Sequence, residues 1–564
     1  MSADETVFEP PGAGLWELDR SHYTGGATPI VQWLMAEACE AAYLKLFADF
    51  GVPAETLSVR FVHGFMYTRL RPLVGADKPT RKPPPTIVLK AVARLHPEFR
   101  RRTRAAADTL EARPWRDVVK DWQGRIRPQL EAANLELQAV DVGTLDDAEL
   151  ADHLDALVSH LRATYEEHFR LHGYDLGPIG MLIRAGRGWG LTTADIVPAL
   201  VGASPSTSAP AEALAALRAG LEDSGATPAT LDDVRGVSPD LAAELDRYLR
   251  HRRAMLYSGY DLDTPTLGEA PEVVLSTITS GRAPVADPGD AAALSVELRA
   301  RVPEADRSRF DDLLGDARAA MDMRDDNGPV TVEWPSGLLR LGMLEAGRRL
   351  AERGRIAEPD HVFELTHGEL SPLMRTEEGP SAEELTERAE RRRGQKALHP
   401  PQTLGTPEPR PPLDALPVPL VTMVETIEAV LAGLGMAERD ASEGTEPCLT
   451  GTGIGSRAVV GVARTADSAE EAIARLSPGE ILVTRTTSPA YNLVLTLVGG
   501  LVTAEGGPMS HAAVLSRELD IPAVVGAPDA LSAIADGDTI EVDPTTGSVR
   551  VVSSAGQPEM AAPN

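Results

Sequence analysis

Cysteine is nearly missing from this sequence: Cys39 and Cys448 are the only two in 564 residues, and they stand far apart. That excludes a disulfide framework and any cysteine-based metal spacing. Long apolar runs are missing too; none reaches the ~18 residues that a membrane span needs. The first ten residues, MSADETVFEP, are acidic and lack the apolar centre of a signal peptide. Basic blocks are absent, and the net charge is −29. That argues against nucleic acid or an anionic membrane as partner, though not against a local basic pocket. No G-x-x-x-x-G-K-[ST] phosphate loop occurs. A cytoplasmic protein is expected. Its length, with 43% apolar residues, suits roughly two to four folded units.

What is there centres on residues 505–526, EGGPMSHAAVLSRELDIPAVVG. Gly506 and Gly507 allow a bend and a close approach by another group. Ser510 is a good N-cap. It places His511 in the first turn of a helix over residues 512–519, where free N–H groups and the positive dipole end favour an anion. An imidazole there is suited to take a phosphoryl group. Taken alone, the same residues fit an exposed histidine at a helix start with no role. Residues 521–526, IPAVVG, predict a short buried strand.

The segment resembles the mobile phosphohistidine domain of the PEP-utilising enzymes. The likeness rests on Gly479-Glu480-Ile481-Leu482-Val483, Thr487-Ser488-Pro489, Gly506-Gly507, Ser510-His511-Ala512-Ala513, Arg517-Glu518 and Ile521 to Gly526. Asp536-Gly537-Asp538, Val542-Asp543 and Gly547 extend it. The resemblance implies that His511 carries a phosphoryl group between two sites, with Gly506, Gly507, Ser510 and Thr487 forming its loop. Strands are expected at residues 458–462, 481–483, 501–502, 523–525, 539–542 and 549–552.

The rest of the chain predicts mainly helices. A long one spans residues 30–50 and stops at Gly51. Residues 58–67 fit a strand or an irregular buried element. His63 lies there, as a core histidine or a substrate contact. Residues 78–85 form a Pro/Lys-rich loop. Thr144 and Asp147 form a capping signal for a helix ending near Leu171. His168 and His172 are four apart and share a face if the last turn holds. Without the glutamate of a zincin motif they suit a polar pocket or a solvated face better than a metal. A Gly-rich stretch, 176–189, follows. Helices are expected at 306–323 and 338–354. Residues 381–396 form a charged helix with Ser381 and Glu384 as a capping box. Residues 399–419 are proline-rich and suit a semi-rigid spacer.

This half resembles the acceptor-binding domain of rifampicin phosphotransferase and its relatives. Tyr260-Asp261-Leu262, Glu269-Ala270-Pro271, Leu344 to Leu350 and Asp360 to Thr366 carry the likeness. It implies an arginine and, four residues on, a lysine facing the transferred phosphoryl group. Arg324 stands at the first position and Gly328 at the second, so another cation substitutes or the acceptor differs.

The expected fold is therefore multidomain. A large, mainly α-helical acceptor domain (1–375) is followed by a charged helix and Pro-rich hinge (376–446). An α/β swivelling phosphohistidine domain (447–553) and a tail (554–564) complete it. The resemblance implies a phosphotransferase subunit that passes a phosphoryl group from His511 to a hydroxyl of a small organic acceptor. No ATP-binding domain is expected ahead of it and no barrel after it. A separate ATP-grasp-like subunit would charge His511; ATP and Mg belong to that subunit, and this chain needs no tightly bound cofactor or metal. His168, His172 and Glu333 are candidate bases and, with Arg324 and His63, candidate substrate contacts. The alternatives are a non-catalytic phosphocarrier or regulatory subunit and a purely interacting protein. Aromatic residues make up only 4%, which points to no particular acceptor.

Overall fold

A computed structural model describes residues 6–19, 22–23, 25–75, 85–280, 288–407, 412–436, 449–487 and 491–554. Cys448, Ser488, Pro489, nearly all of the 78–85 loop and the tail from 555 onward lie outside them.

The helical body is built around α1 (Asp147–Gly188), 42 residues long. The sequence predicts a helix that stops near Leu171 and a separate Gly-rich stretch. Instead α1 runs on through Gly173, Gly177, Pro178 and Gly180. The reason is close packing. A methyl group on Gly173 would lie 2.7 Å from Leu46, and one on Gly180 would lie 2.6 Å from the Thr426 carbonyl. Glycine costs about 1 kcal/mol of helix propensity, and here it lets neighbouring helices approach. His172 is therefore well inside the helix, not past its end. The N-cap is Asp146, which accepts from Ala148 and Glu149 while Glu149 answers its own N–H. Thr144 instead donates to the Asp141 carbonyl.

Helix α2 (Arg307–Gly328) packs along α1. It continues through a π turn, Pro329–Glu333, into α3 (Trp334–Glu352). The stretch 324–337 holds two prolines, which conceal the helix from a periodicity reading. A π turn absorbs the missing N–H and commonly marks functional sites. Leu150, Leu154, Leu157, Trp334, Leu339 and Met343 are fully buried where α1 and α3 meet.

Residues 58–67 turn out to be most of a hairpin, β2 (Ala54–Val62) and β3 (Phe65–Pro72), in a sheet ordered β2-β3-β1-β4. Strand β1 is Leu15–Leu18 and β4 is Thr403–Gly405. His63 and Gly64 form the turn, with φ of 50° and 76°. The charged helix Ala382–Lys396 lies against the body, where Arg392 pairs with Asp263 and with Glu364 (2.8 Å). Helix α4 (Val418–Leu434) packs on α1.

The C-terminal domain is a seven-stranded mixed sheet of order β11-β10-β6-β7-β8-β9-β5. Its strands are β5 (Thr452–Ile454), β6 (Val459–Ala466), β7 (Ile481–Thr484), β8 (Gly500–Thr503), β9 (Ala523–Val525), β10 (Thr539–Asp543) and β11 (Ser548–Ser553). Strands β6 to β9 run parallel, and β5, β10 and β11 add antiparallel edges. All six sequence-predicted strands are present, with β5 in addition. Helix α5 (His511–Glu518) packs its Ala512, Ala513 and Leu515 against the sheet.

Candidate active site

His511 is the first residue of α5, and the Ser510 hydroxyl caps the helix by accepting from the Ala513 N–H at 3.3 Å. Gly506 has φ of 116°, a backbone state that favours glycine. The loop it opens is wedged against the end of α4. A methyl group on Gly507 would sit 2.6 Å from the Gly433 carbonyl, and one on Gly435 would sit 2.2 Å from Gly506. The Met509 N–H donates to the Gly433 carbonyl at 2.8 Å. The double glycine thus lets the C-terminal domain dock on the helical body.

Both ring nitrogens of His511 are held. Nδ1 lies 2.9 Å from the Thr487 hydroxyl, and Nε2 lies 2.7 Å from Asn492 Oδ1. Arg324 donates to the Met509 carbonyl at 3.0 Å. Burial, and then the Arg324 charge, push the imidazole down to about 3. His511 is therefore neutral across the physiological range, with a lone pair available. Arg324 is thus the cation beside the ring.

A cavity of about 690 Å³ opens at His511 and runs into the helical body. Of the residues singled out from sequence, it brings together His511, Gly506, Ser510, Thr487, Arg324, His168, His172 and Glu333. Gly507 supports the loop from outside the lining. His63, expected as a core histidine or a substrate contact, lies in neither place. At the hairpin turn its Nε2 meets the Val7 carbonyl at 3.0 Å and its ring meets Phe8, away from the cavity.

Helices α1 and α2 run antiparallel, which orders the cavity wall. Ile179 and Met321 share an apolar cluster with Met509. Leu171 packs with Ala320 and Met323. Asn327 donates to the His168 carbonyl at 3.1 Å. His172 is thus near the level of Arg324, and Glu333 lies further from α5. His172 Nδ1 faces Asp175 Oδ2 at 3.4 Å, and Asp175 is 1% exposed. The rings of His168 and His172 are 4.6 Å apart, edge to face. His168 reaches the Thr331 hydroxyl at 3.2 Å, and burial with His172 beside it drives it well below the usual imidazole range. Glu333 is 8% exposed, its Oε1 has no hydrogen-bond partner, and burial pushes its carboxyl up to about 7 against a smaller opposing pull from Arg252. Among the described residues no group of three or more His, Cys, Asp or Glu side chains is placed to hold a metal ion.

Asn492 and Asp175 escaped the sequence reading. Asn492 opens a one-turn helix, Asn492–Leu495, just ahead of the apolar residues 493–495. Asp175 lies three residues beyond His172, a spacing that pairs them only once α1 is known to continue.

The fold and the site define a two-part protein, a helical body with a cavity and a smaller domain that presents one histidine to it. Residues 476–547 match the family described as PEP-utilising enzyme, mobile domain. The chain's relatives include phosphotransferases and kinases. Rifampicin phosphotransferase of Streptomyces sviceus is 33% identical over 212 residues, covering 37% of this chain and 21% of that protein. A pyruvate kinase of Lactobacillus delbrueckii subsp. bulgaricus is 44% identical over 99 residues, 18% of this chain and 17% of that one. The chondramide synthase of Chondromyces crocatus is 28% identical over 577 residues, covering 95% of this chain and 14% of the synthase. The chain thus spans less than a quarter of the length of each. Among the described residues no helix is long and apolar enough to cross a membrane.

Proposed function

We propose that this chain is a phosphotransferase component in which His511 takes up a phosphoryl group and passes it to a hydroxyl of a small organic acceptor bound in the interdomain cavity. The observation that carries the reading is the cavity itself, which joins the His511 ring to converging polar groups of the helical body. A carrier sensed only by a partner protein would need no such enclosed space.

In the charging step a ring nitrogen attacks phosphorus, an N–P bond forms, and the donor's P–O bond breaks. A separate ATP-grasp-like protein, holding ATP and magnesium, supplies the group. The docked His511 faces the helical body, so the domain swings away for charging. Attack through Nε2 uses the tautomer with the proton on Nδ1, donated to Thr487, and requires Asn492 to release Nε2. In the second step the acceptor oxygen attacks phosphorus and the N–P electron pair returns to the ring. His172, oriented by Asp175, takes the hydroxyl proton. Arg324 steadies the moving charge, since phosphoryl transfer relies on positioning and electrostatics.

The test uses phosphoramidate, a small N–P donor, and then an ATP-grasp-like protein with labelled ATP. An acid-labile label on the wild type and none on His511→Ala supports the reading. A label that persists in His511→Ala removes His511 from the chemistry.

A further inference from the structure

Glu333 is a buried carboxylate with, among the described residues, no hydrogen bond to its Oε1 and only the charge of Arg252 acting on it. It lines the cavity on the π turn between α2 and α3. Its Oε1 accepts no hydrogen bond, and no ion pair reaches it among the described residues. Among the described residues, Asp175 and Asp326 of the wall each also have one oxygen without a hydrogen-bond partner, but both stand beside a basic side chain, Asp175 with His172 at 3.4 Å. Asp326 faces Arg127 at 2.8 Å, Asp325 accepts from Thr207 at 2.8 Å, and Glu505 has Arg485 at 3.6 Å. Arg252, the cation that influences Glu333, has its guanidinium 5.9 Å from the Tyr248 ring centre.

The space in front of Glu333 is open. Gly328 lines the same cavity, and the one atom within 4 Å of where its side chain would begin is Glu333 Oε1, at 3.9 Å. The wall as a whole favours a cation, with eight carboxylate side chains against two guanidiniums and no lysine. A buried carboxylate without a partner is unfavourable until a positive charge comes to it. No three-ligand group is available for a metal ion among the described residues, so a single carboxylate in a cavity that Tyr248 and Met255 also line suits an organic ammonium.

We infer that the acceptor carries an ammonium group as well as the hydroxyl, that Glu333 anchors the ammonium, and that the acceptor belongs to the amino sugar or aminocyclitol class. The role of the hydroxyl rests on the phosphotransfer reading above. Nine residues separate Arg324 from Glu333, about 13 Å at 1.5 Å per residue. The ammonium therefore lies on the order of 10 Å from the hydroxyl that meets His511, about the span of two linked rings.

The test measures binding to the full-length His511→Ala protein by calorimetry, so that no transfer takes place. The probes are glucosamine, 2-deoxystreptamine, paromamine and tobramycin, each beside its N-acetylated form. The expected result is that the larger amines bind and lose tenfold or more on acetylation. Glu333→Gln should lose tenfold or more for the amines and leave the acetylated forms unchanged. Gly328→Lys, which offers Glu333 an internal ammonium, should compete and lower amine affinity by a similar factor. Equal binding of amines and acetylated forms, unaltered amine binding by Glu333→Gln, or no binding by any amine of the set overturns the inference. Phosphoramidate labelling of the wild type is read separately. A label on His511 without amine binding sinks the acceptor class alone, whereas absence of label sinks the phosphotransfer reading.

Discussion

Replacing Glu333 with glutamine asks whether a carboxyl buried in the cavity wall is held neutral by its surroundings. Burial raises it from 4.5 to about 7. Each pH unit of displacement is worth about 1.4 kcal/mol, so ionising this group in the folded chain costs about 3 kcal/mol more than in the unfolded one. The sign follows from the direction. A raised folded value means that the folded protein binds the proton more tightly, so its contribution is complete below pH 4.5 and is lost as pH rises through about 7. At pH 4 the wild type and Glu333→Gln should unfold nearly alike, since a protonated carboxyl and an amide are similar in size and polarity. By pH 8.5 the variant should be the more stable, by up to about 3 kcal/mol. Urea unfolding between pH 4 and 8.5 reads this, followed by the fluorescence of Trp334, which is adjacent in sequence and 1% exposed. The unfolding midpoint of the helical body is the quantity to compare, because a two-part chain need not unfold in one step. An amine that binds at Glu333 should narrow the difference. Parallel stability curves for the two proteins across the range would show that Glu333 titrates as an ordinary carboxylate and refute the reasoning.

Four further outcomes are expected. His172→Ala should slow transfer to an acceptor by about 10²–10⁴-fold, as loss of a general base does, while phosphoramidate labelling of His511 continues; an unchanged transfer rate would exclude His172. Gly435→Ala adds a methyl group 2.2 Å from Gly506 at a residue with φ of 81°. It should weaken docking, so that transfer falls while labelling persists, and equal transfer would show that the loop contact is dispensable. Asn492→Ala and Thr487→Val each remove one partner of the His511 ring. Asn492→Ala, by opening the ring to water, should raise its titration from about 3 toward the ordinary 6.5, read by NMR of the imidazole; an unmoved titration would mean that other groups enclose the ring. Arg324→Met keeps the packing and removes the charge, and should slow transfer more than charging; equal slowing of both would place Arg324 in folding instead.

The C-terminal domain was the legible part. Its strands alternate with turn residues, and the Ser510–His511 helix start is encoded in a few adjacent positions, so local chemistry decides it. The helical body was read less well because packing overrides local preference there. Gly173 and Gly180 resemble breakers until Leu46 and Thr426 are seen against them. Pro329 and Pro335 hide a helix that survives through a π turn. The His63–Gly64 turn falls inside an apparent strand because both sides of the hairpin carry similar apolar residues. Sequence alone marks Glu333 as a candidate base, but the partnerless Oε1 depends on a burial that only the folded cavity supplies.

The docking loop and the chemistry of His511 are one arrangement. Gly507 and Gly435 allow backbones to meet where a side chain would hold them apart, and Gly506 supplies the positive φ that turns the loop toward them. That contact brings Met509 to Arg324, and Arg324 is also the nearby charge that disfavours a proton on His511. If His511 carries a phosphoryl group, as proposed, the cation that repels a proton on the neutral ring attracts that anionic group once it is attached. Away from the helical body the ring would lose that cation and regain water, so the electrostatics suited to releasing the group belong to the docked position. The charged domain would therefore carry its phosphoryl group through solvent without the cation that promotes its departure, and would meet it only beside the acceptor.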